Sequence, residues 1–327
     1  MDHTEPTIKS LALTLLNYLQ REWKLPSLRY QNPPVSITGG FETMILKIQL
    51  NDTPKNVPAT LIVRIFKRYA SPGIALRESI IQNAVASVRI PAPRVFLTCS
   101  DSSILGGEFN IMAYVSGQPM IDAQQDDLPE LLGRAHARLH EVDPVSITKQ
   151  LANHGFSVER FSFQGRLNGM QKRIAEAGYD WLTPGLQWLY KNKPKCTKSV
   201  ICHGDFHPLN ILMGESKISG VLDWGGFRIA DPAYDVASTK VVLSVLAPVL
   251  RPGLLYPDFV ERYLAAYQTK HPLDTNNIAY FEVARLILGL VDGADGHVGL
   301  RHKDIIAHSH HVLREYTGLN INIPKYS

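Results

Sequence analysis

The sequence has few cysteines, and they form no pattern that would indicate a covalent scaffold. Cys99, Cys196 and Cys202 are odd in number and include no C-x-x-C pair, so we expect no disulfide framework. We interpret them as reduced thiols of a cytoplasmic protein. No run of eighteen apolar residues occurs, and the first five residues are acidic rather than basic. We therefore expect neither a membrane-spanning segment nor a signal peptide.

An excess of charge of one sign is also missing. The formal net charge is +4 at pH 7 and the pI is about 8.8, which is well short of a nucleic-acid-binding signature. The chain has 327 residues, 45% of them hydrophobic, so it can bury a large core and is long enough for two domains. The composition predicts a globular protein whose partners are neither nucleic acids nor membranes.

What the sequence does contain is a carboxylate, an amide five positions later, and a second carboxylate after a further apolar run. These residues are Asp205, Asn210 and Asp223, in the segments HGDFHPLNIL and GVLDWGG. Protein kinases combine H-R-D-x-x-x-x-N with a later D-F-G to transfer phosphoryl groups, a reaction that mainly requires positioning and charge neutralisation. By that pattern Asp205 would orient or accept the proton of a substrate hydroxyl. Asn210 and Asp223 would hold Mg²⁺ through hard oxygen atoms.

The segments 203–212 and 222–237 resemble the aminoglycoside phosphotransferase family, which is similar to choline, homoserine and fructosamine kinases and shares the protein-kinase-like fold. The resemblance extends roughly over residues 38–237. It implies a bilobal α+β fold. A small antiparallel-sheet lobe with a leading helix, residues 1–113, would bind nucleotide, and a larger, mainly helical lobe, residues 114–327, would carry catalysis and substrate binding. It also implies a kinase that moves phosphate from ATP or GTP to the hydroxyl of a small molecule.

Two features of the small lobe would contact the nucleotide phosphates. Gly39 and Gly40 lie between two strand-like runs, where glycine lets a backbone approach phosphate closely. A Gly-Gly pair between strands usually forms an ordinary hairpin, and its position ahead of the strand 60–66 is what favours the phosphate contact. Arg64 is the one cation in the apolar strand 60–66, where the kinase template has lysine. Its planar fork suits phosphate and carboxylate, and Glu78 in the helix-like segment that follows is its expected partner.

The family resemblance places the adenine ring against the backbone of four consecutive residues: Met112, Ala113, Tyr114 and Val115. At the start of the chain, apolar residues at helical spacing predict a leading helix that packs on the small lobe. Prolines at 26, 33 and 34 are expected to end it.

Four further residues of the large lobe are expected to support Asp205. His203 would orient the loop by hydrogen bonding, and His207 would face the substrate. Asp231 and Asp235, in Asp-Pro-Ala-Tyr-Asp, are expected to accept hydrogen bonds at a turn and helix start and so stiffen the site.

Two groups of histidines raise the question of a metal other than Mg²⁺. His136 and His140 are four residues apart on a predicted helix, but no third ligand accompanies them in the sequence, so we do not expect a metal there. The histidines between 297 and 311 fit no recognised ligand set, and a solvated or partly packed helix explains them better.

The charge pattern bears on the acceptor. Segment 145–200 has nine basic residues against three acidic ones, and segment 241–327 has eight of each, so bulk charge gives no support to a polycationic antibiotic. A neutral or anionic hydroxylated metabolite is at least as compatible. The chain would act as a monomer or a homodimer. Two alternatives remain open: a nucleotide-binding scaffold that has lost transfer, and a kinase-fold enzyme that transfers AMP.

Overall fold

The computed structural model describes residues 8–37, 43–66, 72–196, 198–215, 217–250, 253 and 257–324. The chain divides into two compact units. The first unit contains residues 1–117 together with a return segment, 214–222, and the second contains residues 118–213 and 223–327.

The strands, in chain order, are β1 (Arg29–Ile37), β2 (Thr43–Asn51), β3 (Thr60–Phe66), β4 (Val95–Cys99), β5 (Phe109–Ala113), β6 (Gln118–Pro119), β7 (Val200–Cys202), β8 (Ile211–Met213), β9 (Ile218–Val221) and β10 (Arg228–Ala230). The α-helices are α1 (Ile8–Glu22), α2 (Ile74–Ser87), α3 (Ser102–Leu105), α4 (Leu128–His140), α5 (Val145–Asn153), α6 (Phe163–Ala177), α7 (Thr183–Lys191), α8 (Pro232–Val241), α9 (Ala247–Leu250), α10 (Phe259–Gln268), α11 (Thr275–Ala294) and α12 (Lys303–Thr317). Short 3₁₀ turns include Trp224–Gly226, and a π-helical turn, Val242–Leu246, follows α8.

The first unit is built on an antiparallel sheet in the order β1-β2-β3-β5-β4. β2 and β3 alternate between buried and half-buried positions, so one face of the sheet is apolar. Helix α1 lies against that face, because Leu11, Leu15 and Leu19 recur at helical spacing and join one buried cluster with Leu46 and Val63. The leading helix expected from the sequence is therefore present.

One boundary differs from the expectation. Pro33 and Pro34 do not end the leading helix, which stops at Glu22. Both prolines lie within strand β1. β1 is an edge strand, and its register with β2 shifts between Asn32 and Val35. Proline is tolerated at such positions because the missing N–H has no ladder partner to lose.

The second unit is mainly helical, and a close helix crossing organises the part of it beneath the site. A Cβ on Gly133 of α4 would lie 2.4 Å from the carbonyl oxygen of Tyr263 in α10, so only glycine permits this approach. The crossing places the buried His136 and His140 of α4 beside Tyr263 and Tyr267 of α10.

The predicted fold class, α+β with an antiparallel-sheet part and a mainly helical part, is confirmed. Within the described ranges, no helix has both the length and the apolar character needed to cross a membrane.

Candidate active site

The loop between β7 and β8 brings Asp205 and Asn210 into direct contact. Asn210 Nδ2 donates to the Asp205 carbonyl oxygen at 3.0 Å and to Asp205 Oδ2 at 3.1 Å. Nε2 of the buried His207 lies 3.1 Å from the same carboxylate oxygen. Because the amide nitrogen of Asn210 is engaged by Asp205, its oxygen is the atom left for a cation. One carboxylate and one amide oxygen thus belong to a single, internally bonded loop.

The underside of this loop is fixed by Asp235 in the first turn of α8. The backbone N–H groups of His203 and Gly204 donate to the two carboxylate oxygens of Asp235 at 2.6 and 2.7 Å. The His203 ring is buried, and its Nδ1 accepts from the Asp205 N–H at 3.2 Å. The His203 ring thus contacts the loop backbone directly, and its role in orienting the loop stays a prediction. Asp235 binds the loop instead of its own helix start.

Asp231 plays the helix-start role by itself. It is the N-cap of α8, and its side chain accepts from the Ala233 N–H at 2.9 Å. Burial raises the pKa of this carboxyl above its ordinary value.

A second layer of polar contacts lies beneath Asp235. Nε2 of His136 and Nε2 of His140 lie 3.0 and 3.3 Å from Asp235 Oδ2. On the far side of each ring, Nδ1 is 2.7 Å from a tyrosine hydroxyl, Tyr263 for His136 and Tyr267 for His140. All three potential ligand atoms of the cluster lie within 4.8 Å of one another.

The expectation that no third ligand accompanies these histidines is therefore wrong. Asp235 lies 95 residues from His140 in sequence but next to it in space. The carboxylate already accepts two backbone N–H groups, and both histidines contact tyrosine hydroxyls. We interpret the cluster as a buried hydrogen-bond network that supports the loop.

Burial also sets the charge of His140 in this network. Burial lowers the pKa of His140 to about 4, with His136 adding to the shift and Asp235 opposing it. His140 is thus neutral at pH 7, and a neutral ring can donate from Nε2 while accepting the Tyr267 hydroxyl proton at Nδ1. Burial disfavours the ionised form of Asp235, but the two histidines outweigh it and hold the pKa of Asp235 below its usual range.

The same competition applies to Asp205. Burial raises its pKa, but His207, then Arg285 and His203, outweigh burial, so the net pKa of this carboxyl is lower than usual. Asp205 is accordingly an anion at neutral pH, as a group that orients a hydroxyl requires.

Asp223 is held beside this loop by the turn that follows it. A Cβ on Gly204, whose φ is +82°, would lie 2.2 Å from the carbonyl oxygen of Gly226. The ring of Trp224 packs 4.6 Å from that of His203. Asp223 itself is exposed and has a left-handed backbone, with φ 61°. A positive φ is uncommon outside glycine, although aspartate adopts it more readily than most residues, and such positions cluster at functional sites.

In the first unit, the expected ion pair is present. Arg64 Nη1 of β3 lies 3.0 Å from Glu78 Oε2 of α2, and both side chains are largely buried. Gly39 and Gly40 lie outside the described residues.

The four residues expected near adenine run from the end of β5 into the following segment. Met112 is buried, Ala113 ends β5, and Tyr114 and Val115 follow without regular structure. Lys47 Nζ lies 4.0 Å from the centre of the Tyr114 ring, a cation–π contact.

The Nε2 atom of His207 contacts Asp205 and Asn210, and the expectation that this side chain faces the substrate stays a prediction. Sequence reasoning also missed Arg285 of α11, whose Nη2 lies 3.9 Å from Asp205 Oδ1. Nothing in the spacing of the motif signals Arg285, because it lies 80 residues after Asp205.

Residues 46–277 match the model of the phosphotransferase enzyme family known as APH. The chain belongs to this family.

Among curated proteins, the chain is 28% identical over 253 residues to human acyl-CoA dehydrogenase family member 11. The match covers 70% of this chain but only 30% of that protein. Among solved structures, the ethanolamine kinase of Plasmodium vivax has a TM-score of 0.63 and 14% identity, with 97% of this chain and 90% of that chain covered. An aminoglycoside-3'-phosphotransferase of type VIII has a TM-score of 0.57 and 19% identity, with 82% and 97% covered. At these identities the two structures show a shared fold.

The close contact at Gly204 predicts a large effect of one methyl group. We expect Gly204→Ala to lower the free energy of unfolding by about 3 kcal/mol or more, from steric overlap plus backbone strain. Gly178→Ala is the matched control, because Gly178 has φ +68° and no described atom within 4 Å of its added Cβ. Strain alone should cost about 1 kcal/mol there. Urea unfolding of both variants measures the difference, and equal losses would contradict the packing account.

The lowered pKa of His140 predicts a pH-dependent stability. The unfolded imidazole has a pKa near 6.5 and the folded one a pKa of about 4, so between these values the unfolded chain binds more protons. Stability should therefore fall by about 2 kcal/mol between pH 7 and pH 5 from this group alone. His140→Gln should flatten the decline measured by urea unfolding, whereas the exposed His154→Gln should not. An unchanged slope in His140→Gln would refute the assignment.

Proposed function

We propose that this phosphotransferase is a kinase that moves the γ-phosphoryl group of ATP or GTP to a hydroxyl of a small molecule. The observation that carries the proposal is the Asp205–Asn210 contact, in which an ionised carboxylate and an amide are fixed together on one loop. Asp223 lies in the turn packed against that loop. Transfer of a phosphoryl group requires this kind of fixed oxygen array.

Asp205 would orient the acceptor hydroxyl and take its proton as the oxygen attacks phosphorus. Its Oδ2 is occupied by His207 and Asn210. The hydroxyl would therefore meet Oδ1. The backbone contacts of Asp235 keep the loop from moving when the proton is transferred, and this preorganisation favours the transition state.

The donor set fits Mg²⁺. Asn210 retains a neutral oxygen once its nitrogen is bonded to Asp205, and Asp223 offers an exposed anionic oxygen. Hard oxygen ligands in small number are what Mg²⁺ takes in nucleotide enzymes. The ion, when bound, would neutralise charge on the nucleotide phosphates.

The remaining nucleotide contacts would come from the first unit. Glu78 holds the guanidinium of Arg64 in place, so Arg64 can donate to the α- and β-phosphates with little loss of side-chain freedom. Backbone groups of residues 112–115 would contact the base. Gly39 and Gly40 keep their proposed role near the phosphates. His203, Asp231 and Asp235 would act only by supporting the loop and α8.

The related proteins do not indicate one class of acceptor for this chain. The names of the related proteins refer to ethanolamine, to aminoglycosides and, for the curated relative, to an acyl-CoA dehydrogenase of which this chain matches 30%. Asp205, Asn210 and Asp223, the three polar residues of the kinase pattern, are all present in the second unit. Their presence favours an active phosphotransferase over a nucleotide-binding scaffold that has lost transfer. Transfer of AMP differs from transfer of phosphate in the mass added to the acceptor.

The proposal predicts that Asp205→Asn lowers turnover at least ~1,000-fold while nucleotide affinity stays within a few-fold, because the amide keeps the shape of the side chain but cannot take a proton. Turnover would be measured as transfer from γ-labelled ATP and GTP to a mixed set of sugars, polyols, amino alcohols and aminoglycosides, with product masses determined.

The matched control is Asp258→Asn, the same substitution at an exposed carboxylate that pairs with Arg262. It should leave turnover unchanged. Retained transfer in Asp205→Asn would remove Asp205 from its role. Nucleotide binding by the unchanged protein with no transfer to any acceptor would favour the scaffold alternative instead.

A further inference from the structure

Helix α11 is buried along most of its length, with two half-buried positions on one face beside the candidate site. Every residue from Tyr280 to Leu290 is buried except Arg285 and Gly289, which are four residues apart and so share one face of the helix. A polar side chain at such a position reaches the site from a buried helix, which fixes where its charge can lie.

The guanidinium of Arg285 is close to Asp205 but is not bonded to it. Nη2 lies 3.9 Å from Asp205 Oδ1, beyond hydrogen-bond distance, and only 15% of the side chain is exposed. In the described part of the chain, no hydrogen bond is found for any of its five N–H groups. By contrast, Arg262 is bound bidentately by Glu130, and Arg173 is bound by Asp292 and Asp295. Arg285 thus holds unused donors next to the candidate base.

The two carboxylate oxygens of Asp205 have different neighbours. Oδ2 contacts His207 and Asn210, whereas Oδ1 has Arg285 as its charged neighbour. An acceptor hydroxyl that approaches Oδ1 therefore arrives beside the guanidinium. Whatever substituent the acceptor carries near that hydroxyl is placed in reach of the unused donors of Arg285.

The helix face beside Arg285 borders open space. A Cβ added at Gly289 would have only Arg285 Nη1 within 4 Å, at 3.8 Å, among the described atoms outside the backbone of its own helix. The neighbouring acid on α11, Glu282, does not neutralise this space, because it is buried and paired with Lys240 at 2.6 Å. On this face of α11 the guanidinium is therefore the cation that stands beside the Asp205 carboxylate.

We propose that Arg285 binds a carboxylate or phosphate group of the acceptor, so that the acceptor of this phosphotransferase is an anionic alcohol. A guanidinium binds either group with two parallel hydrogen bonds, and at this distance it repels a cationic acceptor. This inference rests on the proposed kinase function.

The test uses acceptors that differ in charge on a common scaffold: glucose 6-phosphate, glucose and glucosamine, and separately glycerol 3-phosphate, glycerol and ethanolamine. We expect the unchanged enzyme to prefer the anionic member of each set. Arg285→Gln should raise the KM for the anionic member about 100-fold, while the KM for the neutral member changes less than threefold. Arg285→Lys should restore part of the affinity, and Arg285→Glu should reverse the preference towards the amines.

The control is Arg262→Gln, which removes a guanidinium of the same unit that is paired with Glu130. It should not alter the charge preference. A preference of the unchanged enzyme for the amines would overturn the proposal. So would an Arg285→Gln variant that loses activity equally with all acceptors and has a raised KM for ATP, because Arg285 would then serve the nucleotide.

A measurement without turnover separates this inference from the kinase function. Binding of glucose 6-phosphate and glycerol 3-phosphate would be followed by NMR titration of the full chain in the presence of a non-hydrolysable ATP analogue. Weaker binding of these anions by Arg285→Gln than by the unchanged protein supports the anion site, whether or not any acceptor is phosphorylated. A failure to phosphorylate any acceptor would count against the kinase function and not against the anion site. Equal binding by both proteins, or none by either, overturns the anion site even if transfer to other acceptors occurs.

Discussion

The contact on which the rest of the site depends is the one between the Asp235 carboxylate and the backbone N–H groups of His203 and Gly204. A fully buried carboxylate is costly unless hydrogen bonds and nearby donors compensate for lost water. Here two backbone donors and two imidazoles surround it. Both backbone donors belong to the candidate catalytic loop. The hydrogen bonds that compensate the buried charge of Asp235 therefore also fix the conformation of that loop.

This arrangement gives the site a rigid underside and an accessible upper side. Beneath the loop, side chains from α4, α8 and α10 are buried and bonded to one another, and Gly204 and Gly226 meet at a distance that excludes a Cβ. Above it, Asp205 is partly accessible and Asp223 is exposed. Fixed groups below and open oxygens above are what a reaction governed by positioning requires, since little reorganisation remains when the substrates bind.

The sequence predicts those parts of the site in which residues that are near one another along the chain are also near one another in the structure. Asp205 and Asn210 share one loop, and Arg64 lies on a strand just before the helix of Glu78, so short connections bring each pair together. The contact of Asp235 with His140 and the approach of Arg285 to Asp205 could not be predicted in this way. They depend on how distant helices pack, and no local pattern encodes a crossing that spans 80 to 95 residues.

The balance of charge around Asp205 explains why fold and family say little about the acceptor. His207 lies on one oxygen and the Arg285 guanidinium faces the other, so nitrogen groups of the protein already flank this carboxylate on both sides. An acceptor that brings positive charge would find no surplus of negative charge there, whereas one that brings negative charge would complete the pairing of Arg285. The residues proposed to carry out transfer, Asp205, Asn210 and Asp223, lie on the loop and the turn packed against it, whereas Arg285 lies on α11. If Arg285 has the role proposed above, two members of the family could share the reaction and the loop that performs it, yet differ in the sign of charge that they accept, through one residue on α11.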